Sequence, residues 1–236
     1  MKPPRRPWDH FPDVLIHAPE TAVKQHPAYW AAKTGDGVAA LALVRDFINA
    51  DKITELEELL AGQTPTLVSA HAFEREGVNA IPEIFADQLG LALSLPVDAG
   101  IVQVNVVAHT GADGFSRLAR QAEFDGPIQV GALYVMVDDF IGMGGTLANL
   151  RGYIESRGAR VLAGIVLTGK SHSARLGLTQ ERLNELRSKH GAQLELWWQD
   201  RYGHAFDALT ESEARYLVRT ADADTVRNRL AAAEQA

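Results

Sequence analysis

The sequence predicts an α/β fold, a parallel β-sheet flanked by helices, with a helical N-terminal addition and a mixed C-terminal addition. Two observations predict it. From about residue 64, short runs rich in β-branched residues alternate with segments of helical period. The connections between those runs are too long for hairpins and suit helical crossovers. The chain therefore divides into a helical extension (1–63), an α/β core (64–170) and a mixed extension (171–236).

In the first part, Asp36-Gly37 precedes Val38, Leu41, Val44, Phe47 and Ile48, which fall on one helical face. Ile53, Leu56, Leu59 and Leu60 repeat that spacing; Thr54 and Glu57 are placed as a capping box, and Gly62 ends the helix. In the core, Thr66–Ala70 reads as a first strand, followed by a polar loop His71–Asn79 and a helix carrying Ile81, Ile84, Phe85 and Leu89. Gly100–Val107 reads as a second strand, and 109–131 is a polar connection long enough to be functional. Leu133–Val137 is a third strand, a glycine-rich turn opens a helix through Leu147, Leu150 and Ile154 to Gly158, and Val161–Leu167 is a fourth. Beyond the core, Thr179 starts a helix running to Gly191, Leu194–Trp198 is expected as an edge strand, Thr210 and Glu213 form a capping box, and 222–236 reads as a surface helix.

Composition narrows the function. With 46% hydrophobic and 22% charged residues, the 236-residue chain is not a disordered polymer. A net charge of −7 argues against a general electrostatic grip on nucleic acid, so any polyanion must be held by a local site. The absence of cysteine excludes disulfides, thiolate zinc sites and a cysteine nucleophile, and the eight histidines show no paired ligand spacing. The basic start Met1–Pro7 is followed by Trp8-Asp9-His10 and not by an apolar leader, and no window is apolar over about 18 residues. A cytoplasmic protein with no membrane span is expected.

One stretch carries chemistry: Val135-Met136-Val137-Asp138-Asp139-Phe140-Ile141-Gly142-Met143-Gly144-Gly145-Thr146-Leu147. An apolar strand ends in two carboxylates, then a glycine-rich loop, then a helix start. Backbone N–H groups at a helix N-terminus suit a phosphate. Two carboxylates beside them would repel it unless they accept from hydroxyls, or help hold a cation, on the same ligand. A sugar phosphate with a vicinal diol satisfies both halves. A dinucleotide fingerprint fails because Leu147 stands where its last glycine belongs, and a P-loop fails because Gly145-Thr146 lacks the lysine.

Val135–Leu147 resembles the phosphoribosyl-diphosphate (PRPP) motif of type I phosphoribosyltransferases. The resemblance implies that Asp138 and Asp139 meet the ribose hydroxyls and that Gly142, Met143, Gly144, Gly145 and Thr146 wrap the 5′-phosphate. It departs from the pattern at Met143, where many members carry a hydroxyl residue, and at Gly142, where some 6-oxopurine enzymes carry an acid. The loop after the first core strand, Glu74-Arg75-Glu76-Gly77, is implied to receive the pyrophosphate, with Arg75 as its cation. The segment 109–131 takes the place of the family's catalytic lid, with Arg117 and Arg120 closing on the pyrophosphate. Lys170 lies near where members recognise the nucleobase.

The resemblance implies a pentosyl-transferring glycosyltransferase of nucleotide metabolism. It would move ribose 5-phosphate between PRPP and a nitrogenous small-molecule acceptor, with Mg²⁺ as cofactor, Asp138 and Asp139 as metal-binding candidates, and a homodimer as the common assembly. The alternative is a PRPP-sensing regulator on the same fold, without turnover. A PRPP-synthesising enzyme is disfavoured, because the chain looks short for the usual two-domain build.

Overall fold

The computed structural model describes residues 4–69, 71–74, 77–105 and 113–235, with the backbone alone for 71–74. The N-terminal part contains β1 (Leu15–Pro19), α1 (Glu20–Gln25), α2 (Tyr29–Lys33), α3 (Gly37–Phe47) and α4 (Ala50–Leu60). The core continues with β2 (Thr66–Ser69), β3 (His71–Glu74), β4 (Gly77–Val78), α5 (Ile81–Leu93), β5 (Val97–Asp98), β6 (Val102–Gln103), α6 (Gly114–Ala119) and β7 (Phe124–Asp125). Then come β8 (Leu133–Ile141), α7 (Gly145–Ser156) and β9 (Arg160–Gly169), and last α8 (Gln180–Tyr202), α9 (Glu211–Arg219) and α10 (Ala223–Gln235).

Five parallel strands make the main sheet in the order β1-β9-β8-β2-β5. A smaller sheet, β4-β3-β6-β7, mixes parallel and antiparallel pairs. Alternation along β8 sorts the two layers: Val135 and Val137 pack with Leu43, Leu56 and Phe85 on one face, while Tyr134 and Met136 pack with Leu147, Leu150 and Ile154 on the other. A third core, outside the sheet, joins Phe115 and Leu118 to Leu186, Trp198, Phe206, Leu217 and Leu230.

Several elements differ from the sequence expectation. The N-terminal part is not wholly helical, because Leu15–Pro19 joins the main sheet beside β9. Burial there alternates only partly, with Leu15, His17 and Ala18 inside. The expected polar loop after β2 contains β3 and β4. Of Gly100–Val107 only Val102–Gln103 is a strand among the described residues, and it belongs to the small sheet; the partner of β2 in the main sheet is β5. Helix α4 is capped by Asn49, whose side chain accepts from Asp51 and Lys52 N–H, while Thr54 sits inside it and bonds the Ala50 carbonyl. Leu194–Trp198 is helical: Leu194, Trp198 and Tyr202 recur at i, i+4, i+8 and are all buried, beyond a break at Gly191. The Thr210–Glu213 capping box forms as expected.

Candidate functional site

The site lies where the chain reverses direction across the sheet. From β2 the path goes through α5 to β5 on one side; from β8 it goes through α7 to β9 on the other. Ligands in open α/β sheets bind outside the carboxyl ends of the strands at such a switch point. Ser69 ends β2 opposite Val137 of β8, and its buried hydroxyl has no hydrogen-bond partner among the described residues. Strand β8 runs on past that point to Ile141, so both carboxylates belong to the strand itself.

Consecutive strand residues face opposite sides, and the two acids occupy different surroundings. Asp139 is buried, and its Oδ2 lies 3.0 Å from Lys33 Nζ. Burial pushes its carboxyl up, but Lys33 and hydrogen bonds from Lys33, Asp138 and Asn79 outweigh this, and its pKa ends below the usual value. Asp138 is half-buried, and its Oδ1 accepts from the Asp139 N–H at 2.8 Å. Desolvation, then the Asp139 charge, raises its pKa well above the usual carboxylate value. The pair thus combines one charged acid held by a lysine with one acid easily neutralised.

Lys33 is brought in by main-chain geometry: the Ala80 N–H donates to Ala32 O at 3.1 Å, tying the end of α2 to the start of α5, where Asn79 also sits. Lys33 and Asn79 escaped the sequence analysis because they lie far from β8 in the chain and carry no motif.

After Ile141 the chain turns through Gly142–Gly144 into α7. Gly144 has φ +83°, which favours glycine, and a Cβ there would collide with Leu176. Helix α7 has Gly144 at its N-cap, and among the described residues no side chain accepts from its first-turn N–H groups. An uncapped helix start at the carboxyl end of a central strand presents backbone N–H groups that an anion could take up.

The back of this loop is held by distant segments. The Thr210 hydroxyl donates to Met143 O at 2.6 Å, and the Ser173 hydroxyl to Gly142 O at 2.6 Å. Arg5 sends Nη1 and Nη2 to the two Glu213 oxygens at 2.6 and 3.0 Å, Nε to Asn149 Oδ1, and Nη2 to Gly145 O at 3.4 Å. Met143 packs against the third core, so a side chain that breaks the phosphate-loop pattern serves to attach the loop to the C-terminal helices.

The remaining sequence candidates are scattered. Gly145 and Thr146 open α7 as expected. Arg117 reaches the loop: its Nη1 occupies the space a Gly142 side chain would need. Arg120 does not; its guanidinium donates to Ala233 O at 3.3 Å on α10. Residues 109–112 lie outside the described residues, and 113–131, expected as a lid, is packed in this structure: Phe115 and Leu118 are core, and α7 holds the segment through Asn149 to Ala122 O (3.1 Å) and Tyr153 to Gly126 O (2.6 Å). Glu74 ends β3, Arg75 and Glu76 lie outside the described residues, and Gly77 (φ +140°) approaches Thr34, whose carbonyl a Cβ would strike. Its missing side chain serves packing against α2.

For Mg²⁺, the described residues gather no group of three or more His, Asp or Glu side chains. Nor is any described helix long and apolar enough to cross a membrane.

No family model matches the chain. It is 38% identical over 229 residues to Protein TraN of Escherichia coli, covering 97% of this chain and 51% of that one. It is also 38% identical over 151 residues to an uncharacterised protein of Haemophilus influenzae, covering 64% and 34%. The chain thus spans about half of one curated relative and a third of the other. Among solved structures, an adenine phosphoribosyltransferase overlays 56% of this chain and 72% of its own with 19% identity and a TM-score of 0.38. Leishmania donovani UMP synthase overlays 70% and 32% with 16% identity and a TM-score of 0.32. Overlays this loose assign nothing to this chain beyond what its own site supports.

Proposed function

We propose that the chain binds PRPP and transfers its ribose 5-phosphate to a nitrogenous acceptor, releasing pyrophosphate. The observation that carries this is the continuity of Asp138–Asp139, the turn Gly142–Gly144 and the uncapped start of α7 at the switch point of the sheet. Phosphate on the α7 N–H groups and the Thr146 hydroxyl sets the ligand's 5′ end, and the diol then meets the carboxyl end of β8. Arg117 beside Gly142 adds a cation at the phosphate end. Mg²⁺ belongs to the proposal: Asp138 and pyrophosphate oxygens make the all-oxygen donor set it takes, and when bound it would neutralise the leaving group. Asp139 fits such a role poorly, since Lys33 already holds it.

That same ion pair favours a second reading, a protein that senses PRPP without turnover. An acid already paired with a lysine has less to offer an oxocarbenium-like transition state. Incubation with PRPP, Mg²⁺ and a panel of nucleobases and amines, followed for pyrophosphate release, separates the two. Acceptor-dependent release supports transfer; tight PRPP binding with no release on any acceptor supports the sensor.

A further inference from the structure

The C-terminal helices reach the back of the glycine-rich turn through a chain of hydrogen bonds whose direction is fixed by counting protons. Ser173, fully buried, has its hydroxyl 2.6 Å from Gly142 O and 2.9 Å from the Ser212 hydroxyl. A carbonyl only accepts and a serine has one hydrogen to give, so Ser173 donates to Gly142 O and accepts from Ser212. Ser212 has then spent its own hydrogen, and its oxygen accepts from Arg215 Nη2 at 2.9 Å. Every bond therefore points the same way, from Arg215 through Ser212 and Ser173 to Gly142 O. A cation stands at the donating end and a loop peptide at the accepting end.

The next carbonyl is held from the same side. Thr210 Oγ1 accepts from the Glu213 N–H at 3.1 Å and donates to Met143 O at 2.6 Å. The peptides are trans, so each N–H points opposite to the C=O of its own peptide unit. With Gly142 O and Met143 O both drawn toward Ser173 and the start of α9, the Met143 and Gly144 N–H groups face the other way. Among the described residues neither of them has an acceptor. The two supports differ in one respect: only the chain on Gly142 begins at a cation. Hydrogen bonds in series polarise one another, and a charged donor strengthens the first of them. Donation onto Gly142 O draws electron density from the Gly142–Met143 peptide and makes the Met143 N–H the stronger donor.

We propose that Arg215 is a positioning residue for the phosphate. Acting through Ser212 and Ser173, it orients and polarises the Gly142–Met143 peptide, so that the Met143 N–H donates to the anion while Arg215 itself does not touch it. The inference rests on the phosphate reading of the loop. It gives α9, which lies outside the α/β core, a part in binding at the carboxyl end of β8. A donor aimed before the ligand arrives needs no rearrangement on binding, which is where the gain in affinity comes from.

A double-mutant cycle on the full chain tests this, with ribose 5-phosphate titrated by calorimetry into wild type, Arg215→Met, Ser212→Ala and the double variant. Arg215 is half-buried, and its replacement by Met should leave the melting temperature within about 2 °C. Each single variant should weaken ribose 5-phosphate roughly three- to tenfold, and the double variant no more than Ser212→Ala alone. Nuclear magnetic resonance of the free protein adds a readout that general loosening of the loop would not give. Arg215→Met should shift the Met143 amide nitrogen, whose peptide ends the chain, and leave that of Gly144, whose peptide is held by Thr210, in place. Wild-type affinity in Arg215→Met overturns the proposal. So does an equal loss from Arg215→Met with and without Ser212, which would mean direct contact with the ligand. If ribose 5-phosphate fails to bind wild type, the phosphate reading of the loop has failed. The relay is then decided on the free protein: a selective Met143 shift upholds it, and an unmoved Met143 or an equal shift at Gly144 overturns it.

Discussion

Lys33 Nζ lies 3.0 Å from Asp139 Oδ2, joining the end of a short N-terminal helix to the carboxyl end of the central strand. Both side chains are largely shielded, with 13% and 12% of their surface exposed. Lys33→Met should leave a shielded carboxylate without its cation, at a cost of about 3 kcal/mol, toward the lower end for buried pairs. At pH 7 the melting temperature should fall by about 6–12 °C. Asp139 titrates below its usual value because of Lys33, so the pair's contribution is present above the unfolded pKa and fades as pH falls through the folded one. The gap between wild type and variant should therefore narrow on acidification below about pH 4, as followed by thermal melts across pH.

Asp138 behaves in the opposite sense. Its pKa is raised by burial and by Asp139, so ionising it in the folded protein is unfavourable. Its contribution is fullest below the unfolded pKa and is lost as pH rises through the raised folded value. Asp138→Asn should then raise the melting temperature at neutral pH, with the gain disappearing in acid, while ribose 5-phosphate affinity falls. A group that costs stability where it serves binding is what a functional site predicts; a variant that is less stable at pH 7 would contradict it.

The Arg5–Glu213 pair is buried, with 2% and 3% of the two side chains exposed. Arg5→Ala should cost about 3–5 kcal/mol by stranding Glu213, whereas Arg5→Met with Glu213→Leu should cost much less. Because Arg5 also touches Gly145 O and Asn149, the single variant should also weaken ribose 5-phosphate binding. Chemical denaturation and calorimetry on both variants measure the two effects.

Gly144→Val should act on the fold before it acts on the ligand. The side chain would enter space held by Leu176 and Thr210, at a backbone φ of +83°. Overpacking and backbone strain together should cost about 2–4 kcal/mol. Gly144→Val combined with Leu176→Ala should recover part of it, read by denaturant midpoints.

The strand–acid–glycine–helix segment was legible because all its parts are contiguous and each obeys a local rule: apolar run, carboxylates, turn glycines, helix start. Its supports were not legible. Lys33, Arg5, Ser173 and Thr210 reach the segment from remote parts of the chain; only Thr210 is marked locally, as a helix cap, and nothing near any of them points to the loop. Asp138 to Ile141 also belong to β8, although Asp138 and Asp139 end the apolar run; pairing with β9, with Phe140 opposite Thr168, carries the strand past them. Leu194–Trp198 misleads in the other direction, since a β-prone composition is overridden by the third core, which buries Leu194, Trp198 and Tyr202 along one helical face. The described part of 109–131 reads as a polar connection, yet it packs on the third core through Phe115 and Leu118 and is tied to α7 by the Tyr153 hydroxyl on Gly126 O, contacts that its own sequence does not announce.

The central claim is that the β8–α7 loop binds the phosphate of a phosphorylated ribose. Thr146 is half-buried at the start of α7, and Thr146→Val removes its hydroxyl with little change of shape. Titration calorimetry of ribose 5-phosphate against wild type and Thr146→Val, with plain ribose as control, tests the claim most directly. The account predicts saturable binding of ribose 5-phosphate and none of ribose, and a loss of roughly tenfold in Thr146→Val at unchanged melting temperature. Ribose 5-phosphate that fails to bind wild type, or binds the variant equally well, would contradict it.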